Sequence, residues 1–221
     1  MKRLIGTKKI KKTLKIGVIT HLLNLRKNNI LITGGLSKLG VEFINQNFEN
    51  NNFFIIYNSK EKLKKFNLHK NKNIFFIKIN FKIKNNNILK ILKNIPKINI
   101  LIFMSGYNPG RKKIYNFTKK NILDSFYINF YYHFLILQTI YKKMAKLKNC
   151  QIINISSNSA LTGGKMIYPY ASMKSALSNI LDALKEDQKY KVNKIKIVNY
   201  YLKNIKNYKI AAKKIILSKT K

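Results

Sequence analysis

Short runs of consecutive apolar residues recur along the chain, and most are followed by a longer stretch with helical spacing of its apolar positions. A short apolar run bounded by polar or glycine residues is typical of a buried strand. The pattern predicts strands at 29–33, 53–57, 74–79, 98–104, 151–155 and 194–199. It predicts helices at 38–48, 60–66, 85–94, 119–147, 170–189 and 207–217. Because strands that alternate with helices form βαβ units, we predict a single α/β domain with a doubly wound parallel sheet of about six strands.

Glycines are concentrated in the turn between the first predicted strand and the first predicted helix, Thr33-Gly34-Gly35-Leu36-Ser37-Lys38-Leu39-Gly40. Glycines permit a tight turn and let the backbone approach a pyrophosphate closely, while the helix N-terminus favours negative charge. Ligands of doubly wound sheets bind beyond the carboxyl ends of the strands. The turn therefore predicts a Rossmann-type dinucleotide site, with cofactor contacts from Thr33, Gly34, Gly35, Ser37, Lys38, Leu39 and Gly40.

The charge of the chain is extreme, since 45 basic and 7 acidic residues give a formal net charge of +38. One interpretation is a polyanionic partner such as nucleic acid. The other is compositional bias, because only Arg3, Arg26 and Arg111 are arginine and the abundant Lys, Asn, Ile, Phe and Tyr have A/T-rich codons. A nucleic-acid-binding protein is expected to use more arginine. We therefore favour bias, expect no specific nucleic-acid partner, and infer a bacterial source with a reduced A+T-rich genome, such as an endosymbiont.

Other bulk features limit the location and the kind of site. Cys150 is the single cysteine, which fits a reducing compartment, and we expect a cytoplasmic protein. No apolar run approaches the roughly 18 residues that a membrane span needs, so no membrane partner is expected. The histidines at 21, 69 and 133 lack metal-ligand spacing, so we predict no metal site and expect His133 to be a core residue. Residues 1–27 form a basic extension, either a transit peptide or a disordered lysine-rich segment, before a domain at 28–221.

Candidate chemistry lies in Tyr170 and Lys174, which the predicted helix brings to one face because they are four residues apart. A neighbouring ammonium favours the phenolate, so Lys174 is expected to lower the pKa of Tyr170 and make it a proton donor for a carbonyl. The spacing Tyr-x-x-x-Lys alone is weak evidence, because it also occurs at Tyr115/Lys119 and Tyr190/Lys194. Only the 170 pair has a serine turn, at Ser157, about a dozen residues upstream after a strand.

From residue 26 to 218 the chain resembles the short-chain dehydrogenase/reductase family. Thr33, Gly34 and Gly40 match that family's Thr-Gly-x-x-x-Gly-x-Gly turn, with Lys38 where the middle glycine usually stands. Ser157, Tyr170 and Lys174 match its catalytic triad in identity and spacing, and Asn129 matches the helical asparagine that completes its tetrad. The resemblance implies carbonyl reduction: Tyr170 donates the proton, Lys174 also bonds the nicotinamide ribose, Ser157 positions the carbonyl oxygen, and Asn129 holds the proton relay.

The second predicted strand ends in Tyr57-Asn58-Ser59-Lys60, without the carboxylate that usually binds the ribose hydroxyls in an NAD site. A serine and a lysine suit a 2′-phosphate better, so we expect NADPH rather than NAD, with contacts from Asn58 and Ser59. The alternative for this segment is a solvated loop. The resemblance adds cofactor contacts from Asn80, which stands where the family has an acid, and from Gly106, as well as from Tyr170 and Lys174.

Several positions depart from the family pattern. Asn-Asn-Ala-Gly after the fourth strand appears as Phe103-Met104-Ser105-Gly106, and the Pro-Gly after the sixth strand is missing. The substrate-covering helices and the final strand are expected to be truncated. Because that strand contributes to dimer pairing in the family, the resemblance allows a homodimer and leaves a tetramer in doubt.

Three functions stay open. The pattern is most like a bacterial 3-oxoacyl-[acyl-carrier-protein] reductase of fatty-acid synthesis, whose partner is an acyl-carrier-protein thioester or another small carbonyl substrate. A pteridine reductase of the same family is the close alternative, since Lys38 and Tyr57-Asn58-Ser59 resemble that branch. A third hypothesis is a degenerate, non-catalytic member that binds dinucleotide or RNA through its charge.

Overall fold

A single sheet carries the strands of the protein, whose computed structural model describes residues 28–68, 70–82, 88–188, 194–203 and 205–215. The strands are β1 (Asn28–Thr33), β2 (Asn51–Tyr57), β3 (Ile74–Lys78), β4 (Ile100–Phe103), β5 (Gln151–Ser157) and β6 (Lys196–Leu202). They lie in the order β3-β2-β1-β4-β5-β6, and each pair is parallel. The strand order reverses between β1 and β4, which is where a doubly wound sheet opens a crevice for a ligand. The predicted Rossmann-type fold is confirmed.

Helices cover both faces of this sheet. They are α1 (Lys38–Asn47), α2 (Lys60–Lys64), α3 (Ile88–Lys93), α4 (Lys119–Phe126), α5 (Tyr132–Met144), α6 (Ser159–Thr162), α7 (Tyr168–Glu186) and α8 (Tyr208–Lys213). A π turn (Tyr127–Tyr131) joins α4 to α5, and a short 3₁₀ turn lies at Ile114–Asn116. None of the helices in the described ranges is both long enough and apolar enough to cross a membrane.

Alternate residues of the strands fill two separate cores, because successive side chains of a strand point to opposite faces. Leu31 and Phe54 belong to the core beneath α3, α5 and α7. Ile32 and Phe53 belong to the core beneath α1 and α8. Burial on both faces explains why the central strands are nearly continuous apolar runs.

Element boundaries differ from the predicted ones in places that have physical reasons. The last two strands continue to Ser157 and Leu202, beyond their apolar runs, because backbone pairing between these two residues does not depend on side-chain polarity. The helix predicted at 119–147 is divided by the π turn, which the apolar pattern does not reveal. The helices predicted at 85–94 and 207–217 are described over 88–93 and 208–213. The predicted extension at 1–27 lies outside the described residues.

Candidate active site

The carboxyl ends of the strands open into a cleft of about 1080 Å³. Several segments that are far apart in sequence meet there: the glycine turn after β1, the end of β2, the loop after β4, the end of β5 and the first turns of α7. Of the predicted catalytic residues, the cleft is lined by Ser157, Tyr170 and Lys174. Of the predicted cofactor contacts, it is also lined by Gly34, Ser37, Lys38, Leu39, Asn58, Ser59 and Gly106.

The glycine turn owes its shape to two positions where a side chain cannot fit. Gly34 has a φ of +69°, and a Cβ there would lie 2.6 Å from the backbone N of Ser105. A Cβ at Gly40 would lie 2.6 Å from the carbonyl O of Gly35. Both distances are far below van der Waals contact, so the backbone of the turn lies directly against its neighbours. Ser37 caps α1, since its Oγ accepts the Gly40 N–H at 3.1 Å.

Other predicted cofactor residues stand behind the cleft rather than in it. Thr33 is fully buried, and neither it nor Gly35 nor Gly40 is among the described residues that line the cleft. Asn80 does not line it either, although both of its sequence neighbours do, and its Oδ1 accepts the backbone N–H of Lys82 at 3.0 Å. Asn80 thus bonds within its own turn, and its contact with a cofactor stays a prediction.

Tyr170 lies in the first turn of α7, whose start is favoured by Pro169 because proline has no N–H to leave unbonded there. Burial raises the pKa of Tyr170, and a hydrogen bond with Ser157 opposes that rise. The net shift is thus opposite to the lowering expected from Lys174, because burial is the larger effect and the opposing hydrogen bond comes from Ser157. A phenol with a raised pKa stays protonated at neutral pH, as a proton donor must. Ser157 Oγ also lies 2.8 Å from Ser159 Oγ.

Lys174 is a buried cation, with only 2% of its surface exposed. Its Nζ donates to the carbonyl O of Ser105 at 3.1 Å and to that of Ile155 at 3.0 Å. Burial lowers the pKa of Lys174 to about 8. An ammonium has three N–H donors, and two are used here, so one is left over for a ligand in the cleft as far as the described part of the chain goes.

Asn129 lies in the middle of the π turn, and its side chain clamps the loop after β4. Its Oδ1 accepts the Tyr107 N–H at 2.9 Å, and its Nδ2 donates to the carbonyl O of Tyr107 at 2.8 Å. A Cβ at Gly106 would lie 3.4 Å from Asn129 Oδ1 and 3.6 Å from Lys174 Nζ. Asn129 and Lys174 therefore flank the same glycine, although Asn129 is itself fully buried beneath the cleft. Single π turns inside helices are frequent at functional sites.

Comparison with known proteins is consistent with this arrangement. A profile of the family described as short chain dehydrogenase matches residues 28–208. The chain belongs to the short-chain dehydrogenase family. No curated protein sequence matches it significantly.

Solved structures share the fold of this short-chain dehydrogenase. Serine dehydrogenase from Escherichia coli is 14% identical with a TM-score of 0.74, over 84% of this chain and 88% of that one. A short-chain dehydrogenase/reductase from Vibrio parahaemolyticus is 17% identical with a TM-score of 0.72, over 83% and 89%. ElxO with NADP bound is 23% identical with a TM-score of 0.66, over 78% of this chain and 73% of that one. At these identities the similarity shows the fold alone.

The cleft of this short-chain dehydrogenase has a positive rim, of which sequence reasoning placed Lys38 and Lys174 at the site but not the other members. Besides Lys174, basic side chains line the cleft at Lys38, Lys62, Lys82, Arg111, Lys165 and Lys203. Among the described residues that line it, none is aspartate or glutamate. A cleft with charge of one sign attracts anionic ligands. In a chain with so many lysines, only the fold could show which of them meet.

His133, expected to be a core residue, is fully buried but is bound through both ring nitrogens. His133 stands one helical turn after Asn129, and this spacing is the sequence signal that could have indicated its hydrogen-bonding role. The other two histidines lie outside the described residues.

Proposed function

We propose that this short-chain dehydrogenase is an NADPH-dependent carbonyl reductase. The observation that carries the proposal is that Ser157, Tyr170 and Lys174 line the same cleft as the glycine turn. A proton donor, a hydroxyl that can bond the same oxygen, and a buried ammonium thus stand beside a turn suited to a pyrophosphate.

The residues present fit a dinucleotide. Gly34 lets the turn after β1 lie against the backbone of Ser105, which gives the turn its tight shape, and α1 presents its capped N-terminus beside it. When bound, the dinucleotide supplies the hydride for the reduction. The backbone of the glycine turn would hold the pyrophosphate, and the remaining N–H of Lys174 would hold a ribose hydroxyl.

The protein's own contribution is to supply a proton and to stabilise the developing charge. Tyr170 gives its phenolic proton to the carbonyl oxygen as that oxygen becomes an alkoxide. Ser157 donates a hydrogen bond to the same oxygen, which favours the charge that develops in the transition state. The buried ammonium of Lys174 stabilises the resulting phenolate. Asn129 keeps the loop after β4 in place beneath them.

Preference for NADPH over NADH rests on the end of β2. Asn58 and Ser59 line the cleft where NAD-binding sites carry an acid. The lysine that lines it beside them is Lys62 of the next helix rather than Lys60, on which the sequence argument relied. A cation and a serine favour a 2′-phosphate over two free hydroxyls.

The substrate we favour is the thioester of a 3-oxoacyl group on an acyl carrier protein. The basic rim, which includes Arg111 and Lys165, suits an acidic carrier. The alternative within the family, a pteridine reductase, is motivated by the resemblance of Lys38 and Tyr57-Asn58-Ser59 to that branch, and these residues line the cleft. The non-catalytic hypothesis is motivated by the expected truncation of the substrate-covering helices and the final strand, together with the net charge of +38.

One experiment separates these functions. NADPH oxidation by one preparation is followed with acetoacetyl thioester and with dihydropteridine as substrates, and each assay is repeated with NADH. We expect turnover of the thioester with NADPH. Tyr170→Phe should lower kcat by at least about 10³-fold and leave NADPH binding measurable by fluorescence. Tyr168→Phe is the matched control, because Tyr168 lies on the same turn of α7 but packs against Phe117, and it should keep full activity.

Each remaining outcome supports a different function. Faster turnover of dihydropteridine would favour the pteridine reductase. Unchanged turnover in Tyr170→Phe would contradict the mechanism. RNA binding with a steep salt dependence, in a protein that never oxidises NADPH, would favour the non-catalytic hypothesis.

A further inference from the structure

His133 lies at a junction of three segments that build the cleft. Its Nε2 is 3.0 Å from Thr33 Oγ1, at the start of the glycine turn, and 2.7 Å from Ser105 Oγ, in the loop after β4. Its Nδ1 is 3.2 Å from the carbonyl O of Asn129, in the π turn. Any buried ring nitrogen needs a hydrogen-bond partner, and here all the partners come from segments that build the cleft.

The partners decide which ring nitrogen carries the proton. A carbonyl oxygen can only accept, so Nδ1 must donate to Asn129. Thr33 Oγ1 already accepts the backbone N–H groups of Met104 and Ser105, at 3.2 and 3.3 Å, so its own proton is available for the ring. The hydrogen-bond network thus assigns a neutral imidazole in which Nε2 is the acceptor.

The surroundings keep that ring neutral. Burial and the nearby charge of Lys174 lower the pKa of His133 to about 3. The neutral ring has one lone pair at Nε2, which the hydroxyls of Thr33 and Ser105 share, with Ser105 Oγ the closer. A protonated ring would have none, and it would face an ammonium.

Ser105 connects the ring to the proposed catalytic machinery. Its side chain binds His133 Nε2, while its carbonyl O accepts from Lys174 Nζ at 3.1 Å. A shift of Ser105 therefore moves one of the two carbonyls that hold the ammonium. Asn129 is tied in the same way, because its carbonyl accepts from the ring and its amide clamps Tyr107.

We propose that His133 is a positioning residue: as a neutral acceptor it fixes Ser105 and Thr33, and through the Ser105 carbonyl it holds Lys174 in place for the reaction. The role rests on the proposed reductase function. It predicts that an aromatic ring of similar volume without the acceptor cannot replace His133, whereas a side chain with an acceptor near the position of Nε2 can.

The test compares three variants on α5. His133→Phe keeps an aromatic ring and removes both polar atoms, and we expect kcat to fall about 10- to 100-fold, as for a misplacement of about 1 Å, with NADPH affinity changed less than about threefold. His133→Gln restores an acceptor and should recover most of the lost kcat. Ile140→Val is the control, because Ile140 is fully buried on the same helix and lies in the same core. An unchanged kcat in His133→Phe, or no recovery in His133→Gln, would overturn the proposal.

A second experiment does not depend on whether His133→Phe folds. Ser105→Ala removes the hydroxyl that joins the ring to the loop, and it should lower kcat in the same direction without loss of NADPH binding. If both residues act along one connection, the double variant should be little worse than His133→Phe. Independent, multiplying losses would contradict that connection, as would full activity in Ser105→Ala.

A third measurement uses the protein without cofactor or substrate. In ¹⁵N NMR spectra we expect a protonated Nδ1 and an unprotonated Nε2, with no titration between about pH 6 and 8, where an ordinary histidine changes charge. The opposite tautomer, or a ring that titrates in this range, would overturn the proposal. Wild-type protein that never oxidises NADPH would instead contradict the proposed function, so the two failures are distinguishable.

Discussion

The two ends of the sheet both bury polar side chains, but they bury them differently. At the amino ends of β1 and β2, Asn28 Nδ2 donates to Asn51 Oδ1 at 3.1 Å, and Asn52 Nδ2 donates to Asn29 Oδ1 at 3.0 Å. These residues face each other across the strand pair in register. At the carboxyl ends, the buried Lys174 is held by backbone carbonyls of loops and strands instead.

This difference shows how a buried polar group becomes available for chemistry. An amide beside another amide is both donor and acceptor, so neighbouring asparagines can bond to one another and strengthen the strand pair. An ammonium that donates to two carbonyls has a third N–H to offer to a ligand. It also has a positive charge, and burial has lowered the pKa of the group that carries this charge. The amino end is thus structural, and the carboxyl end has hydrogen-bonding capacity for a ligand.

After the loss of the Tyr170 hydroxyl, the largest expected effect comes from removing the charge at the carboxyl end. Lys174→Met should lower kcat by about 10²- to 10³-fold, because the phenolate of Tyr170 loses its nearby cation. Steady-state reduction of acetoacetyl thioester measures this, with Lys185→Met, an exposed position on the same helix, as the control. If Lys174→Met kept more than half of the wild-type kcat, the buried polar group at the carboxyl end would be as structural as the asparagines at the amino end.

The same variant gives a pH test. Burial lowers the pKa of Lys174 from 10.5 to about 8. Between these values the unfolded chain binds a proton that the folded chain lacks, so this group makes the free energy of unfolding rise with pH, by on the order of 3 kcal/mol over the window. Denaturant titrations from pH 7.5 to 10 should show that the wild type gains stability relative to Lys174→Met. Parallel curves would contradict the lowered pKa.

The next effect concerns the glycine turn. Gly34→Ala and Gly110→Ala both place an alanine at a positive φ, +69° and +91°, but only at Gly34 does the new Cβ meet backbone, at 2.6 Å. We expect Gly34→Ala to weaken NADPH binding at least about tenfold and to cost about 1–3 kcal/mol more stability than Gly110→Ala. NADPH affinity is measured by fluorescence titration and stability by thermal unfolding. If both variants lose equal amounts, the positive φ is the cause and the close approach of the new Cβ to backbone is not.

At the amino end a change should affect stability and leave catalysis intact. Asn51 accepts from Asn28, and its Nδ2 donates to the carbonyl O of Asn47 at 2.8 Å. Asn51→Ala should therefore lower the free energy of unfolding by about 1–3 kcal/mol, since it leaves buried groups without those partners. The exposed Asn50→Ala is the control. A fall in kcat beyond about twofold at saturating NADPH would mean that the two ends are not independent.

The smallest expected effect refines the cofactor preference. Lys62→Gln removes a cation from the cleft next to β2, and an exposed ion pair contributes about 1 kcal/mol or less. We expect the KM for NADPH to rise about three- to fivefold and the KM for NADH to stay the same. Lys64→Gln, at an exposed position of the same helix, is the control. Equal changes for both cofactors would argue against a 2′-phosphate at this position.

Much of the fold could be predicted because its strands are buried on both faces. The segment Ile30-Leu31-Ile32 is apolar at every position, so the sequence itself indicates a strand buried on both faces. The helices between the strands then require parallel pairing. That Tyr170 and Lys174 line one cleft could be predicted only when their helical spacing was combined with Ser157 after the preceding strand, because the spacing alone also occurs elsewhere.

What could not be predicted depends on three-dimensional contacts. The π turn around Asn129 arises within a helical pattern that looks continuous, and the carbonyls that hold Lys174 come from Ser105 and Ile155, far away in sequence. The roles of His133 and Asn80 likewise depend on which neighbours the fold supplies. Periodicity indicates which face of an element is buried but not which hydrogen bonds form there.

The π turn also determines how the segment from 119 to 144 tolerates change. Such a turn acts as one residue inserted into an α-helix, and each residue rotates the chain by about 100° around the axis. Loss of a single residue anywhere in Tyr127–Tyr131 would therefore rotate the whole of α5 relative to α4 and turn His133 away from the cleft. The helical phase is thus part of the site, and over evolutionary time this segment should accept substitutions far more readily than single-residue insertions or deletions.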